Sequence, residues 1–225
     1  VLQRTRYPRY EVLVVCAEHE VAALQPFAGK VHVLVGQPGE SRSSWLNLAA
    51  SQARGAYLVL VSARSQVITP AWIEALLNEA QRPEVGVVGA CLEGGDTALV
   101  HAGYALLQGP QVVSPWLGLK PQACAEARWP LAVRGCQAVS ADCLMVSKEV
   151  FEHCAGLQVV HGADIDLCRA VIEAGQLVVW TPQARLLLSA QPEADYALAQ
   201  VLFERWPSAF SEQAATPLGW LEQVE

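Results

Sequence analysis

The stretch Tyr57-Leu58-Val59-Leu60-Val61-Ser62-Ala63-Arg64-Ser65-Gln66-Val67-Ile68-Thr69-Pro70 opens with five apolar residues and turns polar at Ser62. Five residues rich in Val and Leu are too few for a free-standing helix and suit a strand buried on both faces. In open α/β sheets ligands bind beyond the carboxyl ends of strands, so Ser62, Ala63 and Arg64 stand where chemistry is expected. A hydroxyl, a methyl and a guanidinium are an unusual set for that place.

Upstream, residues 10–16 and 31–35 read as strands, joined by a polar, Ala-rich connection long enough for two helical turns. Residues 43–54 form a helix with Trp45, Leu46, Ala49 and Ala53 on one stripe, stopped by Gly55. Downstream, Thr69 is the expected N-cap and Pro70 the first residue of a helix whose Trp72, Ile73, Leu76 and Leu77 face the sheet. Residues 85–90 are the next buried strand. The alternation predicts an α/β fold, a Rossmann-like, mainly parallel sheet with right-handed crossovers and flanking helices.

From 93 to 130 Gly and Pro recur, which predicts a loop-rich subdomain of the kind that collects binding residues. Regularity returns with a strand over 138–146, helices over 148–154 and 162–175, and a strand over 177–180 ended by Thr181-Pro182. Residues 194–206 read as an amphipathic helix. These boundaries give a main domain over 1–190 and a helical tail over 191–225.

The 225 residues are 52% hydrophobic and 16% charged, enough to bury a sizeable core. No apolar run approaches the roughly 18–20 residues that cross a bilayer, so no membrane span is expected. The seven cysteines form no Cys-x-x-Cys pair and read as buried, reduced thiols of a cytoplasmic protein, with zinc disfavoured. The net charge of -7 argues against broad nucleic-acid binding, and Arg4, Arg6 and Arg9 read as solvated surface. A first residue other than Met suggests a domain of a longer protein.

Several segments, in order, resemble the family 2 glycosyltransferases of the GT-A fold. They are Tyr7-Pro8 with the strand after it, Asn47 with Ala53-Arg54-Gly55-Ala56-Tyr57-Leu58, and Thr69-Pro70-Ala71-Trp72-Ile73. Val85-Gly86-Val87-Val88-Gly89-Ala90, His101-Ala102-Gly103, Asp164-Ile165-Asp166-Leu167-Cys168 and Val179-Trp180-Thr181-Pro182 follow. The resemblance covers about residues 5–190. It implies a nucleotide-sugar donor, a glycan acceptor, other domains in a longer chain, and a place in the cytoplasm or, through a partner, at the inner face of the membrane.

The chain departs from that family in two ways. The family has a strand ahead of the Tyr-Pro segment, inside the sheet. Its loss would leave unpaired backbone groups, so either residues before Val1 supply it or another segment fills the slot. The sites that handle the donor also differ. The family's metal-holding Asp-x-Asp falls on Ser62-Ala63-Arg64, its acidic contact to the nucleotide base on Cys16-Ala17, and its late His on Leu187-Leu188-Ser189-Ala190. The family uses Mg²⁺ or Mn²⁺, whereas without carboxylates no metal cofactor is expected here.

By the same resemblance Asp164 is the base that would take the acceptor proton, and Asp166 is the second acid of its motif. Both also suit a helix N-terminus, where carboxylates complement the dipole. Arg64 is either a fixed cation for a diphosphate or a surface residue. Ser62, Asn47 and Asp142 are further candidates for substrate contact, with turn capping an equal reading for Asp142. His101 reads as a local hydrogen-bonding residue. Trp116 and Trp129 suit sugar stacking or core packing. Two functions stay open: a glycosyltransferase-like module with weakened or lost metal-dependent donor chemistry, and an active, metal-independent transferase.

Overall fold

The computed structural model describes residues 1–120, 132–189 and 196–211, without the side chains of 196–198 and 211. The chain opens with β1 (Leu13–Cys16), a 3-10 helix (Glu18–Phe27), β2 (His32–Val35), α1 (Arg42–Gln52), β3 (Tyr57–Val61), β4 (Ser65–Val67) and α2 (Trp72–Ala80). Next come β5 (Val85–Glu93) and four short strands, β6 (Leu99–His101), β7 (Ala105–Leu107), β8 (Gln111–Val113) and β9 (Arg134–Gly135). The rest is β10 (Cys143–Ser147), α3 (Lys148–His153), α4 (Ala163–Glu173), β11 (Leu177–Leu188), α5 (Tyr196–Arg205) and α6 (Pro207–Ser211).

Local chemistry explains most boundaries. Ser41 and Ser147 cap α1 and α3, each hydroxyl accepting an N–H from the first turn. α2 begins later than the sequence predicts, with Ala71 as its N-cap. Thr69 and Pro70 are used in a turn instead, where the Thr69 carbonyl accepts from Trp72 N–H and the Pro70 carbonyl from Arg6 N–H.

The main sheet has the order β3-β10-β5-β11-β4, with β6 on β5 and β9 on β11. β5 and β11 are parallel, while β10 is antiparallel to both β3 and β5. The α/β architecture is as predicted, and the sheet is mixed. Among the described residues no helix lies between β5 and β10 to impose a parallel sense. Residues 138–142, expected as strand, form the approach to β10. β11 also runs past Pro182, because a register shift between Thr181 and Arg185 removes the proline from the ladder.

Every residue of β5 is buried. One face of the sheet packs Leu58, Leu60, Val87 and Leu144 with α1 and α4, and the other packs Val88, Leu92 and Met145 under Trp72, Ile73 and Leu76 of α2. Gly86 and Gly89 are required by this closeness. A Cβ on Gly86 would lie 2.4 Å from Val171, and one on Gly89 2.5 Å from Val139. At the end of β5 the buried Glu93 carboxylate accepts from Arg185 Nε at 2.6 Å and Nη2 at 2.9 Å, which compensates its desolvation.

The loop-rich region carries its own core contacts. Trp116, considered above for sugar stacking, is 6% exposed and packs in the main core, while Trp129 lies outside the described residues. The six described cysteines are free, and Cys124 lies outside the described residues. Among the described residues no helix is long and apolar enough to cross a membrane. β1 and β2 pair only with each other, as a parallel two-stranded sheet.

The last helices join the same core through Leu202, Ala209 and Phe210. Asp166 anchors them: its Oδ1 accepts from Arg205 Nε at 2.6 Å and from Trp206 Nε1 at 2.7 Å. Because Asp166 is 2% exposed, these partners replace its water. Asp166→Ala is expected to cost about 2 kcal/mol in urea unfolding and to open the α4–α5 region to limited proteolysis. Unchanged stability and cleavage would contradict the anchoring role.

Candidate functional site

The mixed sheet creates the site. β10 is antiparallel to β3, so it begins at the edge where β3 ends, which puts residues 140–142 beside 62–65. The Asp142 carbonyl accepts from Ser62 N–H at 3.0 Å and from the Ser65 hydroxyl at 3.3 Å. The first residues of α1 and α4 reach the same edge, bringing Arg42 and Asp164.

Asp142 lies between two cations. Its Oδ1 is 3.8 Å from an Arg64 nitrogen and 3.7 Å from an Arg42 nitrogen. Ser140 Oγ donates to Oδ2 at 3.4 Å and accepts from Asp142 N–H at 3.1 Å. Both guanidiniums are more than half exposed, whereas the Asp142 side chain is 10% exposed. At these lengths and exposures the pairs are weakly held and contribute little to stability. The two guanidiniums retain capacity for a further anion.

Asp164 is half-buried beside this cluster. Its Oδ2 accepts from Ala141 N–H and its Oδ1 from Ile165 N–H, both at 3.0 Å. Burial raises its carboxyl above the usual carboxylate range, outweighing the two amide bonds and the Arg42 charge, which lower it. A carboxyl raised in this way is a stronger base than an ordinary carboxylate. The Tyr104 hydroxyl lies in the same surroundings, hydrogen-bonded to Ser140 and shifted upward by burial and then by Asp164.

Ser62, Arg64, Asp142 and Asp164 therefore converge. Asn47 and Asp166 have other partners. Asn47 spans Leu157 like a backbone strand, its Nδ2 donating to the Leu157 carbonyl and its Oδ1 accepting from Leu157 N–H, both at 2.9 Å. Asp166 holds α5 and the residue after it, as described. Sequence reasoning missed Arg42, Ser140 and Tyr104. Arg42 sits among serines with no pattern to mark it; Tyr104 directly follows the His101-Ala102-Gly103 segment, which could have drawn attention to it.

At the end of β1, Ala17 N–H donates to Glu20 Oε2 at 2.9 Å. At the end of β11, Leu188 pairs with Ser65 and Ser189 N–H donates to the Arg64 carbonyl. That segment braces the loop bearing Arg64 through its backbone.

His101 is a structural support of the site. It is 1% exposed, and its Nε2 accepts from Ser140 N–H at 3.0 Å and Gly103 N–H at 3.2 Å. Both bonds require an unprotonated Nε2. Burial, and then the charge of Arg134, hold its pKa at about 3 against the usual 6.5. The neutral ring is thus favoured in the folded chain, so acid costs stability. Between about pH 6.5 and 4.5 the unfolded chain takes up a proton that the folded chain refuses, with a loss of about 1 kcal/mol per pH unit. The raised Asp164 carboxyl acts in the opposite sense, within the carboxylate range. Denaturant titrations are expected to show that His101→Gln flattens this slope above pH 5; an unchanged slope would reject the assignment.

No family model matches the chain. An uncharacterized protein, y4gI, of Sinorhizobium fredii (strain NBRC 101917 / NGR234) is 35% identical over 198 residues, covering 83% of this chain and 22% of the relative. The O-antigen biosynthesis protein RfbC of Myxococcus xanthus is 30% identical over 226 residues, covering 92% of this chain and 18% of the relative. The chain thus spans about a fifth of the length of these curated relatives. Among solved structures, GalNAc-T7 with UDP, GalNAc and Mn²⁺ matches with a TM-score of 0.64 at 14% identity, over 84% of this chain and 40% of that one. The mannosyltransferase PcManGT from Pyrobaculum calidifontis, in complex with GDP-Man and Mn²⁺, matches at 0.60 and 16% identity, over 96% and 60%. With the ordered sequence segments and the sheet topology, these likenesses show that the chain has the GT-A fold found in glycosyltransferases.

Proposed function

We propose that this domain belongs to a glycan-assembly protein and that its metal-dependent donor chemistry is weakened or lost. The observation that carries the reading is the Arg42–Asp142–Arg64 cluster at the sheet edge. Transfer from a nucleoside diphosphate sugar needs the departing diphosphate neutralised and the acceptor hydroxyl deprotonated. A hard divalent cation takes charged oxygens. Residues 62–64 offer a hydroxyl, a methyl and a guanidinium, and the carboxylate beside them already faces two guanidiniums within 4 Å. That donor set does not fit Mg²⁺ or Mn²⁺, so we derive no step through a metal. The name of RfbC supports a role in glycan assembly, and the nucleotides bound by the two solved structures support a nucleotide sugar as the ligand class. We assign residues 1–190 to the domain proper and 191–225 to its tail, and place the protein in the cytoplasm, reaching the membrane's inner face through partners.

A second reading is an active, metal-independent transferase, favoured by the presence of two guanidiniums and by the raised Asp164 carboxyl. Arg42 and Arg64 then grip the diphosphate, with Ser62 lining it, and Asp164 takes the proton of an acceptor hydroxyl that Asp142 orients. Asn47 and Asp166 act from behind, by fixing the 157 loop and the α5 anchor.

Calorimetry with UDP-, GDP- and dTDP-sugars, with and without Mn²⁺, tests both readings. Any binding is expected to change less than about twofold with Mn²⁺ and to weaken about tenfold in Arg42→Ala and in Arg64→Ala, the scale of one charge-assisted contact. Donor turnover lost in Asp164→Asn at unchanged affinity would select the transferase, and absence of binding would select the inactive module. Tight binding that needs Mn²⁺ would overturn both.

A further inference from the structure

The Arg42–Asp142–Arg64 cluster is built differently from other ion pairs of the same chain. The shortest N–O separation is 2.6 Å in the Glu93–Arg185 pair and 2.6 Å in the Asp166–Arg205 pair. Asp142 Oδ1 stays 3.7 Å from the nearest Arg42 nitrogen and 3.8 Å from that of Arg64, beyond hydrogen-bond length on both sides. The carboxylate thus balances the charge of two guanidiniums without taking up the donors of either.

The difference lies in what each residue is fixed to. Asp142 is locked ahead of β10: its carbonyl accepts from Ser62 N–H and the Ser65 hydroxyl, and its N–H donates to Ser140 Oγ. Ser140 Oγ also holds Oδ2, so this short side chain is tethered at both ends. The arginines are anchored mainly at their backbones. Arg42 lies in the Ser41-capped first turn of α1, and its Nη2 gives one long bond, to the Ala141 carbonyl at 3.4 Å. Arg64 N–H donates to Ser62 Oγ, and its carbonyl accepts from Ser189 N–H. Their side chains are 57% and 55% exposed, on stems that can rotate, whereas the Asp142 side chain is 10% exposed. An arriving anion can therefore move the cations but not the carboxylate.

We propose that Asp142 is a built-in counter-ion that opposes anion binding at this site, so that the grip of Arg42 and Arg64 on a phosphate group is deliberately weakened. A phosphate oxygen that comes within hydrogen-bond length of either guanidinium gains a charge-assisted bond that Asp142 does not make. To do so it draws the arginine away from Asp142 and then faces a like charge that its tether keeps from withdrawing. The affinity is set by the difference of these two effects, and the carboxylate reclaims the guanidiniums when a diphosphate leaves. The inference rests on the reading of Arg42 and Arg64 as an anion-holding pair, and adds to it the residue that limits their hold.

Calorimetry with pyrophosphate, in EDTA to remove divalent ions, tests it. Asp142→Asn keeps the shape of the side chain and removes its charge, and is expected to tighten pyrophosphate binding about fivefold, the scale of two exposed ion pairs that no longer have to be broken. In the Arg64→Ala chain one pair is left, so the same substitution is expected to gain only about twofold. Asp142→Ala provides a second variant, with urea unfolding of each chain to establish that it is folded, and should tighten binding in the same sense. Binding that is unchanged or weaker in the folded variants, or undetectable in all of them, would overturn the proposal. So would a gain that stays fivefold in the Arg64→Ala chain, since it would report net charge alone. Nucleotide sugars that fail to bind a chain whose pyrophosphate affinity rises as expected would remove the nucleotide-sugar reading and leave the counter-ion standing.

Discussion

β5 has no exposed residue, and the rest of the architecture follows from that constraint. A nine-residue strand buried on both faces must be paired along both edges and covered above and below. β10 and β11 supply the pairing; α2 covers one face, and α1 and α4 the other. The glycines of β5 let Val171 of α4 and Val139 approach to where a side chain would stand. The one charged residue, Glu93, is tolerated because Arg185 on the neighbouring strand neutralises it through two bonds.

The direction of β10 links this core to function. Had β10 run parallel to β3, Asp142 would sit at the opposite end of the sheet from Ser62. Running antiparallel, it delivers Asp142 to Ser62 and Arg64. The result is a carboxylate placed between two guanidiniums. A fixed guanidinium resembles a metal ion in charge, but it directs hydrogen bonds along its own plane and cannot gather ligands around itself.

The supports of the site are as specific as its members. His101 is held neutral by its burial and then by the Arg134 charge, and two backbone N–H groups occupy its Nε2. Asn47 holds the Leu157 loop through both ends of its amide, and Asp166 fixes the helical tail. Each of the three lies in a segment that resembles the family. Their observed bonds show how such positions serve the fold.

The sequence by itself determined the alternation of helices and strands, the buried strands at 57–61 and 85–90, and the polar turn at 62–64, because these depend on local periodicity and residue type. It also marked Asp164. It could not give the sense of β10, the passage of β11 through Pro182, or the burial of Trp116, since strand pairing and cover are set by partners distant in the chain. Only the tertiary structure joined Arg42 to Arg64 and Asp142, residues 22 and 78 positions apart in sequence along the chain. Charges meet through space, and a linear pattern records no such distance.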